Sequence, residues 1–204
     1  MLPDIKQSRP IKEDRYIEPR QQEAFDSLRE IPKAYRKKLW GKIEDEKEAV
    51  KTCATWAEAE DGERPKPWIY LYGKSGSGKT MLAALMSGKL IRQKSLRLTW
   101  LNCTELQMES RDAMKRNTPE STIVNKYSGS ELLVMDDLGA GVLTGFALSG
   151  LYIILNRRSE SEKRTIITSN LAPSDMAKSD VRITDRILRS ATLVGMKNGS
   201  YALR

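Results

Sequence analysis

The stretch WIYLYGKSGSGKTMLAALM, residues 68–86, decides the fold. Its first five residues, Trp68 to Tyr72, are apolar or aromatic without a break, as in a strand buried within a sheet. GKSGSGKT, residues 73–80, follows as a glycine-rich turn, and Met81-Leu82-Ala83-Ala84-Leu85-Met86 opens a helix. Strand, turn and helix in that order are the setting of the P-loop pattern G-x-x-x-x-G-K-T. Gly73, Gly76 and Gly78 have no Cβ, so the backbone can turn tightly there. Successive N–H groups then converge on phosphate oxygens at the positive end of the helix. The nucleotide-binding candidates are Gly73, Ser75, Gly76, Ser77, Gly78, Lys79, Thr80 and Met81. Lys79 reaches the β- and γ-phosphates, and the Thr80 hydroxyl ligates Mg²⁺.

Downstream, the helix should run to about Arg92, and Leu96–Leu101 reads as a second strand. Thr104 is placed to cap a helix through Lys115, with a further short helix over 121–127. Leu132-Leu133-Val134-Met135 is a short, continuously apolar run of the kind buried on both faces of a parallel sheet. It ends in Asp136-Asp137, a Walker B arrangement: Asp136 holds Mg²⁺ through water and Asp137 polarises the attacking water. A helix over about 145–156 sets Leu148, Leu151, Tyr152 and Leu155 on one face. Thr165–Asn170 is a β-branched strand whose end falls at the same sheet edge, which puts Asn170 beside the nucleotide. Ser179–Arg189 reads as helix with Arg182, Arg186 and Arg189 on one face, and 191–204 as strand, turn at Asn198-Gly199, strand. Strands alternating with helices make a doubly wound α/β domain.

Upstream of the decisive stretch the chain is polar. Residues 1 to about 20, punctuated by Pro3, Pro10 and Pro19, read as an extended arm, and 21–30 as a short helix with Phe25 and Leu28 on one face. In IPKAYRKKLWGK, Lys33, Arg36, Lys37, Lys38 and Lys42 surround Tyr35 and Trp40. That mixture suits a nucleic-acid grip or, equally, a solvated turn whose aromatics pack on the domain. From Glu44 to Glu60, Val50, Cys53, Ala54 and Ala57 recur at helical spacing.

Composition narrows the partners. The 204 residues suit one domain with a short appendage, and a net charge of +8 favours a polyanion, nucleic acid first. Two cysteines, Cys53 and Cys103, and no histidine exclude a zinc finger, which needs about four such ligands. Both cysteines read as small buried hydrophobes. The apolar runs fall short of a membrane span and the N-terminus is polar, so a cytoplasmic location is expected.

Five segments together carry a family resemblance: IPKAYRKKLW (31–40), GKSGSGKTMLAAL (73–85), LLVMDDLGA (132–140), LNRRSESEKRTIITSNL (155–171) and VRITDRIL (181–188). They resemble the AAA+ ATPases of the DnaC/DnaI helicase-loader group, kin of the IstB-type transposition ATPases. The resemblance implies a three-layer P-loop core, a parallel sheet flanked by helices, without a C-terminal helical lid. It implies an ATPase domain over 31–204, preceded by an arm and short helix, 1–30, as a partner-binding segment. By the same resemblance ATP and Mg²⁺ are the cofactors, with Lys79 and Thr80 on phosphate and metal, Asp136 in the metal shell and Asp137 activating water. Asn170 looks like sensor 1 and Arg186 like an arginine finger supplied to a neighbouring subunit, with Arg182 as a possible second arginine in trans. Asp137 stands where many relatives carry glutamate, which implies slow hydrolysis. The implied function is loading the replicative hexameric helicase onto single-stranded DNA, through self-association at the ATP site. An IstB-type ATPase that binds duplex DNA and recruits a transposase shares the core, and a small-molecule P-loop kinase is a third reading.

Overall fold

The computed structural model describes residues 18–37, 47–141, 143 and 145–197. Five strands form one sheet: β1 (Trp68–Gly73), β2 (Leu98–Asn102), β3 (Leu132–Asp136), β4 (Thr165–Ser169) and β5 (Ala191–Met196). The order is β2-β3-β4-β1-β5 and every pairing is parallel. β4 therefore lies between the P-loop strand and the strand that ends in Asp136. That insertion brings the carboxyl ends of β1, β3 and β4 side by side.

Parallel strands need crossovers, and the helices that make them cover both faces. Along β1 the side chains alternate. Ile69 and Leu71 join a core with α1 (Pro19–Asp26), α2 (Lys47–Glu58) and α3 (Lys79–Lys94). Trp68 and Tyr70 join a second core with α4 (Leu106–Lys115), α5 (Glu120–Gly129), α6 (Gly145–Glu160), α7 (Pro173–Ser179) and α8 (Val181–Ser190). β3 and β4 are buried along their whole length. This explains why β3 opens with a continuous apolar run, whereas in β4 the buried Thr165, Thr168 and Ser169 are hydrogen-bonded.

Several boundaries differ from the sequence reading. α1 begins at Pro19, because a proline at the first turn gives up only an N–H that has no helical partner. Its Ala24 is buried in the core shared with β1. Thr104 is not the cap of α4: its N–H and hydroxyl both turn back to Asn102 Oδ1, at 3.1 and 2.7 Å, and Glu105 precedes the helix. α6 runs on to Glu160, and its buried row is Ala147, Gly150, Leu151, Ile154, Leu155 and Arg158, with Leu148 and Tyr152 at its margins. Ser179 ends α7, and α8 starts afresh where Asp180 accepts from the N–H groups of Arg182 and Ile183. The expected turn at Asn198-Gly199 and the strand beyond it lie outside the described residues, as do most of the arm, Lys38, Trp40 and Lys42. In the described part of that basic segment, Tyr35 packs on the core, and the Arg36 guanidinium donates to the carbonyls of Ile31 and Arg29. Cys53 and Cys103 are buried free thiols, pushed up in pKa by desolvation.

Candidate functional site

The site lies where β1, β3 and β4 end against the N-terminus of α3. Gly73, Gly76 and Gly78 have φ of 148°, 78° and 94°. A Cβ on Gly73 would stand 2.3 Å from the Met196 carbonyl oxygen, so that position excludes any side chain. Gly78 caps α3. Lys79 is the first residue of α3, and its Nζ donates to four acceptors: the carbonyls of Gly73 at 2.8 Å and Lys74 at 2.9 Å, Asn170 Oδ1 at 2.9 Å and Ser77 Oγ at 3.5 Å. Burial lowers the Lys79 pKa, while Asp137 and Asp136 oppose that shift. Within the loop, Ser77 is buried, Ser75 is exposed, and Met81 packs against the core below.

Next to the lysine stand the paired carboxylates. Asp136 is 7% exposed. Its Oδ1 accepts from Thr80 Oγ1 at 3.0 Å and from Thr168 Oγ1 at 2.6 Å. Desolvation raises the Asp136 pKa, and the two hydroxyl donors work against the rise. Asp137, at φ 57°, is in the left-handed region, which a non-glycine residue rarely occupies. The structure thus gathers Lys79, Thr80, Asp136, Asp137 and Asn170 at one sheet edge.

The arginines are placed elsewhere. Arg182 and Arg186 on α8 bond to none of those five residues. Arg182 pairs with Asp180 at 3.5 Å and sits over the Tyr152 ring at 5.3 Å. Arg186 has no ion pair among the described residues. Of four other basic residues, Lys74, Arg97, Lys115 and Arg116, Arg97 is matched by Glu23 and Glu131 and Lys115 by Asp112. Lys74 and Arg116 are exposed. Thr168 was missed by the motif reading. The available signal was its position two residues before Asn170, which puts both on the same side of β4.

The donor set suits a hard cation. Among the described residues no group of three His, Cys, Asp or Glu could hold a metal. Thr80 Oγ1 and Asp136 Oδ1, however, are adjacent oxygens of the kind Mg²⁺ takes when phosphates and water complete its shell. Among the described residues, no helix is long and apolar enough to cross a membrane.

A parallel sheet with an extra strand between the P-loop strand and the carboxylate strand makes this a P-loop domain of the α/β class, a fold shared with the solved DnaC helicase loader. Residues 42–193 match the family described as the bacterial DnaA ATPase domain, and the chain belongs to that family. Its relatives include replicative helicase loaders, the group read from the sequence, and chromosomal replication initiators. The replicative helicase loader DnaI of Bacillus subtilis (strain 168) is 27% identical over 109 residues, covering 53% of this chain and 34% of that protein. The replicative helicase loader DnaC of Escherichia coli (strain K12) is 29% identical over 118 residues, covering 56% of this chain and 47% of that protein. The chain therefore spans less than half the length of either relative. The solved structure of the replication initiator DnaA bound to AMPPCP and single-stranded DNA shares the fold. Its TM-score is 0.67 at 21% identity, covering 83% of this chain and 51% of that one.

Proposed function

We propose that this domain hydrolyses ATP to load a replicative DNA helicase onto single-stranded DNA. The observation that carries the ATPase part is the contact of Lys79 Nζ with Asn170 Oδ1 at 2.9 Å, beside the paired Asp136 and Asp137. A lysine for phosphate, an amide for the γ-phosphate and a carboxylate for water are then within one cluster. The loader part is supported by the two relatives named replicative helicase loaders.

In this reading the loop N–H groups and Lys79 bind the triphosphate, and Thr80 and Asp136 hold Mg²⁺. The metal, when bound, supplies positive charge that neutralises the phosphates. Asp137 takes the proton of the attacking water and orients it. Asn170 reports the γ-phosphate to β4. Arg186 serves the site of a neighbouring subunit, where it stabilises charge developing on the transferred phosphoryl group, with Arg182 beside it. Among the described residues it has no ion pair, which suits that role. Hydrolysis then depends on assembly, and the shorter Asp137 keeps it slow. The net charge of +8 suits the DNA partner. The domain acts in the cytoplasm, and residues 1–30 supply partner contacts ahead of the ATPase domain at 31–204.

The test is size-exclusion with light scattering on this protein mixed with the host replicative helicase, with and without ATP and single-stranded DNA. A joint complex remodelled by nucleotide is expected. Failure to co-migrate, with ATP-dependent filaments on duplex DNA instead, would replace the loader by the transposition ATPase.

A further inference from the structure

We propose that Thr168 is a positioning residue of the ATP site: its hydroxyl locks both acidic residues onto the strand that carries Asn170. The inference rests on the ATPase reading above and goes beyond its motif residues.

Thr168 is fully buried on β4. A hydroxyl has one proton to give and two lone pairs to receive with. The direction of each bond here is fixed by chemistry. The Asp137 N–H can only donate, and it does so to Thr168 Oγ1 at 3.0 Å. The Thr168 proton therefore goes to the carboxylate, Asp136 Oδ1, at 2.6 Å. One side chain thus holds the metal-binding acid by its oxygen and the water-activating acid by its backbone.

The second Asp136 donor, Thr80, cannot play this part. Thr80 is itself the candidate metal ligand, so its oxygen must also face the cation. Thr168 approaches from the sheet and has no such duty. It also holds the left-handed turn at Asp137, φ 57°, by occupying the N–H that this conformation turns toward β4. Two neighbouring bonds reinforce the connection. The Leu138 N–H donates to the Thr168 carbonyl at 2.8 Å, and Ser169 Oγ donates to the Leu138 carbonyl at 2.6 Å. Residues 136–138 are therefore laced to the last two residues of β4, directly before Asn170. Contact at Asn170 is transmitted to Asp137 through this lacing. Thr168 acts through the acids.

The experiment compares Thr168→Val, which keeps the shape and removes the hydroxyl, with Thr168→Ser, which keeps the hydroxyl. The full chain is titrated with a fluorescent ATP analogue in Mg²⁺ and in EDTA, and single-turnover hydrolysis is timed. In EDTA all three proteins bind alike. The Val variant loses about tenfold or more of the affinity gained on adding Mg²⁺ and about 10- to 100-fold of the hydrolysis rate, as for other residues that orient metal ligands. The Ser variant stays close to wild type in both. Thr168→Ala replaces the Val variant if that protein does not fold, with the same inequality against Ser. The inference is overturned if the Val variant matches wild type in both readouts, or if the Ser variant is as impaired as Val. A wild-type protein that binds no nucleotide in Mg²⁺ would instead overturn the ATPase reading and this inference with it.

Discussion

Replacing Arg158 by methionine should destabilise the domain by about 4 kcal/mol, and the value follows from two opposing effects. Arg158 is fully buried on α6 and pairs with no carboxylate among the described residues. Its guanidinium instead joins the end of α5 to the start of β4. Nε donates to Thr165 Oγ1 at 2.9 Å, Nη1 to the carbonyls of Tyr127 at 3.0 Å and Ser130 at 2.7 Å, and Nη2 to the Arg164 carbonyl at 2.6 Å. Four charge-assisted bonds at about 1.5–3 kcal/mol each contribute about 6–12 kcal/mol. Against this, burial pushes its pKa from 12.5 down to about 9. At about 1.4 kcal/mol per unit, holding the buried charge costs about 5 kcal/mol. Methionine removes both effects and leaves a net loss of about 1–7 kcal/mol, out of a total stability of about 5–15 kcal/mol. For a domain of this size about 4 kcal/mol lowers Tm by about 8–16 °C. Thermal melting by circular dichroism and urea unfolding would measure it. A methionine variant that melts within about 2 °C of wild type, or above it, would refute the claim that these bonds outweigh the desolvation of the charge.

Asp136→Asn should raise Tm at neutral pH while abolishing Mg²⁺-dependent hydrolysis. Burial holds the Asp136 carboxyl above its ordinary 3.8, so its stabilising contribution is present below 3.8 and is lost as pH rises through the folded value. Wild type and variant should therefore converge in Tm as the solution is acidified; equal Tm at neutral pH would show that the buried charge carries no penalty. Arg186→Ala should lose DNA-stimulated hydrolysis and recover it in mixed oligomers with an Asp137→Asn subunit, which keeps Arg186. Lack of complementation there would remove the finger in trans.

The P-loop, the Asp136-Asp137 pair and the Asn170 strand were legible because each is local chemistry. A glycine turn, an apolar run and the polar residue after it all fall within a few positions of one another. The α/β class was legible for the same reason, since a strand buried on both faces must be continuously apolar. Helix starts were less so. Thr104 looks like a cap in sequence, but Asn102 competes for its hydroxyl, and α1 could begin two residues earlier because a proline suits its first turn. Thr168 and Arg158 were illegible for a different reason. Each is an ordinary residue in a strand or helix until the sheet order puts β4 between β1 and β3. Sequence alone determined which groups the P-loop presents at the start of α3, because the loop is built from eight consecutive residues. Only the tertiary structure decided how Asp136, Asp137, Lys79 and Asn170 are held together, because their alignment depends on bonds between residues some 30 to 90 positions apart.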